Sequence, residues 1–168
     1  MDSNLERYLN DHLAGSSGAV DLIQALADAD IEQRAFFVEL KTKVEEDRVV
    51  LKELIECLGH TSSGILQAAG SLSEKAGRLK LLWEGLEPGR LGMFEALEVL
   101  SLGIQGKRLL WVVLRELALH IPEWEDFDFS DLEKDAIKQR DEVETRRVEA
   151  GVKALLDEER ISQDPEPH

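Results

Sequence analysis

Four side chains in this sequence, His12, Asp47, Glu95 and Glu98, have the chemistry to share a metal ion. Imidazole nitrogen and carboxylate oxygen are the donors that iron, manganese and zinc take from proteins. Each residue also has a plainer use. His12 falls between Leu9 and Ser16 on an apolar stripe, where a histidine bonded to a carboxyl or carbonyl group is the commoner arrangement. Asp47 interrupts a hydrophobic seam between Val44 and Leu51. A bare buried carboxylate is costly, so Asp47 needs a partner, and such a contact specifies how bundle helices meet. Glu56 with His60, and Glu116 with His120, have the four-residue spacing that puts two groups on one helical face. Both pairs sit at predicted helix ends, where histidine serves the last carbonyls. Cys57 is the single cysteine, without a second thiol for a disulfide or a Cys-x-x-Cys site, and Lys52 is its nearest basic neighbour in sequence. No Ser-His-Asp ordering, glycine-rich phosphate loop or dinucleotide fingerprint is present.

The elements that would position these residues are helices. Ser3-Asn4-Leu5-Glu6 is a capping box, and the helix it opens runs to about Ala29 with Leu5, Leu9, Leu13, Val20, Ile23 and Leu26 on one stripe. Asp30-Ile31-Glu32-Gln33 repeats the box. It opens a second helix to Leu58, with Gly59 as a left-handed stop and Phe37, Leu40, Val44, Leu51, Leu54 and Leu58 along its seam. After a turn at 60–64, a shorter third helix runs to about Trp83, with a second possible start at Ser71. Pro88-Gly89 marks a loop. The fourth helix spans about Leu91 to His120 and is apolar on two faces. Met93, Leu97, Leu100, Ile104, Trp111 and Leu114 form one face, and Leu102, Leu109 and Val113 the other. Pro122 ends it, and residues 121–129 read as a loop. Ser130-Asp131-Leu132-Glu133 caps a fifth helix to about Leu156. No strand pattern occurs. The expected fold is all-α, an antiparallel bundle of about five helices over residues 1–158, with 159–168 a disordered polar tail. Ala14-Gly15-Ser16-Ser17-Gly18-Ala19 is a run of small residues in mid-helix. It predicts close approach of a neighbouring helix, with Gly103 and Gly106 as the other side. Access for a ligand is the alternative.

Composition narrows the partners. The 168 residues form one domain long enough to bury a core without staples, and 43% are hydrophobic. With 35 Asp and Glu against 20 Lys and Arg, the formal charge is −15. Such a surface repels phosphate backbones and anionic lipid, which argues against nucleic acid and membrane partners. The start, Met1-Asp2-Ser3-Asn4, lacks the basic and apolar regions of a signal peptide, and the apolar stretch from Leu97 to Leu119 carries Lys107, Arg108, Arg115 and Glu116. A cytoplasmic protein is the expectation.

Two stretches carry a resemblance. Tyr8-Leu9-Asn10-Asp11 precedes an acid-rich helix ending Leu54-Ile55-Glu56-Cys57-Leu58-Gly59, and a later helix contains Glu95-Ala96-Leu97-Glu98-Val99-Leu100-Ser101-Leu102-Gly103. Together they resemble the ferritin-like four-helix bundles, in particular the small bacterial stress-protein branch whose corresponding helix reads roughly Glu-His-Tyr-Glu-Ile-Ala-Ser-Tyr-Gly. The chain also looks like an uncharacterised bacterial family of helical proteins beginning Tyr-Leu-Asn-Asp-His. Over residues 3–156 the resemblance implies a ferritin-like four-helix core plus an extra short helix. A ferritin-like di-metal centre takes Glu-x-x-His pairs from two helices and a carboxylate from each of the others, and this chain has no Glu-x-x-His. The family's ligand histidine falls on Ala96, a carboxylate position falls near Ser16, and the expected acids of the last helix fall near Gln139 and Arg140. The resemblance thus implies the fold without the di-metal ligand set. It also places Asp47 and Arg140 near the level of the ligand cluster. A guanidinium there would hold a carboxylate in place of a cation. The expected buried polar cluster is Arg140 with Asp47 first and Glu98 second, and His12 at its edge.

The leading functional expectation is a non-enzymatic helical module acting through protein contact, as a homo-oligomer joined through the second apolar face of the fourth helix, with no cofactor. A metal or redox protein with a remodelled site at His12, Asp47, Glu95 and Glu98 is the second. A small-ligand carrier, using space vacated where ligand residues shrank to Ser16 and Ala96, is the third.

Overall fold

A computed structural model describes residues 3–59 and 85–156. Four long helices account for most of them: α1 (Ser3–Ala29), α2 (Arg34–Cys57), α3 (Leu91–Ala118) and α4 (Phe129–Leu155), with a single 3-10 turn at Pro122–Trp124. Among the described residues there is no strand, and no helix is long and apolar enough to cross a membrane. The predicted turn at 60–64, the third predicted helix running to about Trp83 and the predicted tail at 159–168 lie outside the described residues.

Local chemistry explains the boundaries. Asp30 ends α1 and starts the turn into α2: its Oδ1 accepts the Gln33 backbone N–H at 3.1 Å and its Oδ2 accepts the Gln33 side-chain amide at 2.9 Å. Gly59 closes α2 at a φ of 77°, a left-handed conformation that costs glycine little, and its N–H reaches the Glu56 carbonyl at 2.9 Å. The cap of α4 is Asp128, two residues before the predicted Ser130. Its Oδ1 accepts from the Asp131 N–H at 3.0 Å. Glu133, the expected reciprocal half of the box at Ser130, instead takes Arg108 at 3.0 Å and Arg115 at 2.9 Å, both from α3.

Packing is strongest between α3 and α4, then between α1 and α2, and α1 also lies on α3. Gly151 on α4 permits the close α3–α4 approach, since a Cβ there would stand 2.9 Å from the Phe94 ring. The core is in two parts. One cluster joins Leu22, Ile23 and Leu26 of α1 to Phe37, Leu40 and Val44 of α2, Met93 to Ile104 of α3, and Val143 of α4. The other joins Leu9 and Leu13 to Leu51, Leu54, Leu110, Trp111, Leu114, Trp124 and Ala136. Each fully buried leucine or phenylalanine contributes about 1.5–3 kcal/mol. Between Leu13 and Leu22, α1 buries no residue fully. The two clusters therefore meet at a level where α1 offers only small or partly exposed side chains.

Candidate functional site

At that level a cavity of about 520 Å³, open to solvent beside the exposed Gly15 and Gly103, lies between α1, α2 and α3. Its α1 wall is built from His12, Gly15, Ser16 and Ala19, and its α3 wall includes Gly103 and Gly106. Among the described residues no helix approaches closely at Gly15, Gly103 or Gly106. A Cβ added at Gly15, Gly103 or Gly106 would meet no atom within 4 Å. Gly15 and Gly103 are exposed, so the space beside them opens to solvent. Val44, Leu51, Leu100, Ile104 and Leu110 make the remaining surface largely apolar.

A polar layer crosses the bundle beside this space. Lys107 of α3 donates to Asp47 Oδ2 on α2 and to Gln139 Oε1 on α4. The side chains of Lys107 and Asp47 are only 15% and 11% exposed, so the pair is an internal one. Burial pulls the Lys107 ammonium below its ordinary pKa, opposed by the adjacent Asp47 carboxylate. Asp47 therefore is paired, as its place in an apolar seam requires, but by a lysine rather than by Arg140. Arg140 donates to Gln105 at 2.8 Å and to its neighbour Asp141 at 2.7 Å, nearer the surface. Gln139, one residue earlier, is the inward residue, 3% exposed. Glu98 is exposed and stands 3.8 Å from Arg147. Of the expected cluster His12, Asp47, Glu98 and Arg140, only His12 and Asp47 reach the cavity wall.

Glu95 is also exposed, so the four candidate metal ligands are not brought together. Among the described residues no three His, Cys, Asp or Glu side chains form a group able to hold a metal ion. Ser16 lines the cavity with its hydroxyl given to the Leu13 carbonyl at 2.6 Å, while Ala96 is packed in the core away from it. Cys57 is exposed.

His12 packs edge-on against Tyr8, ring centroids 4.8 Å apart, and burial lowers its pKa from 6.5, with Asp11 opposing. The folded state thus binds this proton less readily than the unfolded chain. Stability consequently falls as pH drops through 6.5 and levels off below the folded pKa. We expect the urea midpoint to decline from about pH 7.5 to about pH 5.5 in the parent and to decline less in His12→Gln. Equal slopes would remove His12 from the account.

Sequence reasoning missed Lys107 and Trp111 as site residues. Trp111 is 1% exposed and borders the cavity, and its indole Nε1–H has no acceptor among the described residues. A buried donor left alone costs about 1–3 kcal/mol, and this nitrogen is closed off from the cavity that the ring borders. The signal for Lys107 was a gap: Met93, Leu97, Leu100, Ile104, Trp111 and Leu114 alternate by three and four except at position 107. The arrangement presents an open, largely apolar hollow able to take an apolar molecule. It contains no nucleophile held by a base. No known protein family, curated protein or solved structure matches this chain.

Proposed function

We propose that this chain is a non-enzymatic binding protein for a small, mainly apolar molecule held between α1, α2 and α3. The observation that carries the proposal is the open 520 Å³ cavity, which lies within the range of small-molecule sites and has a largely apolar wall. The four described helices fit a ferritin-like antiparallel bundle in this proposal. Short connections join α1 to α2 and α3 to α4, and the long connection from Leu58 to Arg90 lies in the middle, as in bundles with one crossover.

The test is to fill the space. Gly103→Leu with Gly106→Leu places side chains where nothing stands, on helical backbone that favours leucine over glycine by several tenths of a kcal/mol or more, roughly, per site. The parent should bind the dye N-phenyl-1-naphthylamine saturably, with affinity reduced at least about tenfold in the double variant. Its urea midpoint should be equal or higher. Undiminished dye binding in a folded double variant would end the proposal.

A second reading, self-association, is favoured by a separate observation. Leu102, Leu109 and Val113 are 67%, 53% and 39% exposed on α3, and clustered exposed apolar residues mark contact surfaces. Light scattering should give a mass above 18.9 kDa at high micromolar concentration, returning to 18.9 kDa in Leu102→Glu with Leu109→Glu. A parent that stays at 18.9 kDa excludes this reading and leaves the cavity untouched.

A further inference from the structure

The mouth of the cavity lies beside the exposed Gly15 of α1 and Gly103 of α3. Next to it on α3, Val99, Leu102, Leu109 and Val113 form an exposed apolar stripe. Their three-and-four spacing is that of a seam facing another helix, with Gly106 at the middle position. Gly106 also lines the cavity, and a Cβ added to it would meet nothing within 4 Å. Whatever covers the middle of the stripe therefore also covers the α3 edge of the mouth.

The stripe suits a second copy of this chain. It is nearly symmetrical about Gly106: Val99 and Val113 stand seven residues to either side, and Leu102 and Leu109 four and three. Two copies related by a two-fold axis at Gly106 would set valine against valine and interleave the leucines, the self-complementary contact that such an axis requires. Charge does not oppose it. From Val99 to Val113, α3 carries two ionised side chains, and both are engaged elsewhere: Lys107 inward with Asp47, Arg108 with Glu133 of α4. A strip free of charge is where two chains of formal charge −15 can meet. Exposed apolar side chains continue on the flanks, Tyr8 on α1 and Val148 and Val152 on α4. Averaging about half exposed, these three and the four of the stripe present roughly 300 Å² of apolar surface per copy, taking roughly 60–120 Å² for each side chain when bare. A stable interface at the small end buries about 600 Å² per partner, somewhat over half of it apolar. The patch thus supplies most of the apolar part.

Resting on the cavity as the binding site and on self-association through this face, we infer that the second copy completes the ligand site by covering its mouth, so that an apolar ligand and the second copy each strengthen binding of the other.

Light scattering over a dilution series, with and without saturating N-phenyl-1-naphthylamine, tests this. In the parent the dye should lower the dimer dissociation constant by at least about threefold, and the dimer should hold the dye more tightly than the monomer does, because coupling between two binding events is reciprocal. Leu102→Glu with Leu109→Glu changes two exposed residues that do not line the cavity. It should give a folded monomer that binds the dye about threefold to tenfold more weakly than the dimeric parent. A dimer indifferent to the dye, with full dye affinity in the double variant, would overturn the inference and leave both readings beneath it standing. A monomeric parent that binds the dye would overturn the inference together with self-association and leave the cavity a binding site. Weaker dye binding by the double variant of such a monomer would assign the cover to another part of the same chain. A dimeric parent that binds no dye would overturn the binding site, and the inference with it.

Discussion

Lys107→Met should destabilise the fold by about 3–5 kcal/mol in urea unfolding, the scale for breaking an internal ion pair from one side. Removing the ammonium leaves the Asp47 carboxylate facing Val44, Leu51 and the α3 seam, and leaves Gln139 without its donor. Against a usual total of about 5–15 kcal/mol, that loss is large. Asp47→Leu combined with Lys107→Met removes both charges, and replacing such pairs by apolar groups is commonly neutral or stabilising. The double variant should therefore recover most of the loss. A single-variant cost under about 1 kcal/mol would show that solvent reaches the pair and screens it.

Trp124→Ala should cost a similar amount, about 3–5 kcal/mol, by leaving a large cavity. Trp124 is fully buried, packs on Phe129 with ring centroids 6.1 Å apart, and donates its Nε1–H to the Leu54 carbonyl at 3.0 Å. It thereby fastens the α3–α4 connection to α2. Trp124→Phe should lose less, about 1–3 kcal/mol, because it keeps most of the ring and gives up the bond. The measurement is the urea midpoint at constant slope. A Trp124→Ala midpoint within error of the parent would place the residue at a surface that the structure does not show.

Helix type and extent were legible because their signals are local. The three-and-four spacing of Phe37, Leu40, Val44, Leu51 and Leu54 describes α2 and Gly59 marks its end, while its start falls at Arg34, past the turn that Asp30 opens. Trp124 was not legible as a core residue, since it stands among Glu123, Glu125 and Asp126 and only the turn at Pro122 swings it inward. Arg140 and Gln139 show the limit of spacing. Both lie in the inward arc between Ala136 and Val143, three or four residues from each, and contact with Lys107 selects Gln139. The small-residue run of α1 was ambiguous in the same way. Glycines at helical spacing serve close packing or open space equally well, and the separation of the helices decides. Lys107, by contrast, could have been found. The two seams are each interrupted once, by Asp47 and by Lys107, with opposite charge.

Those paired interruptions bear on which alignment of α2 along α3 is unique. Both seams repeat every seven residues, so sliding one helix by two turns, about 10 Å, would again set leucine against leucine. Apolar contacts alone discriminate weakly between such registers. In the slipped one, Lys107 would face the Leu40 or Leu54 level, with Asp47 unmatched elsewhere, and two stranded charges make that state costly. The layer thus works as an index mark, which stabilises one alignment by penalising its neighbours. A chain carrying Asp47→Leu with Lys107→Met can then be as stable as the parent yet less singular, with more than one set of amide resonances from α2 and α3. A single sharp set would assign the alignment to the rest of the packing instead.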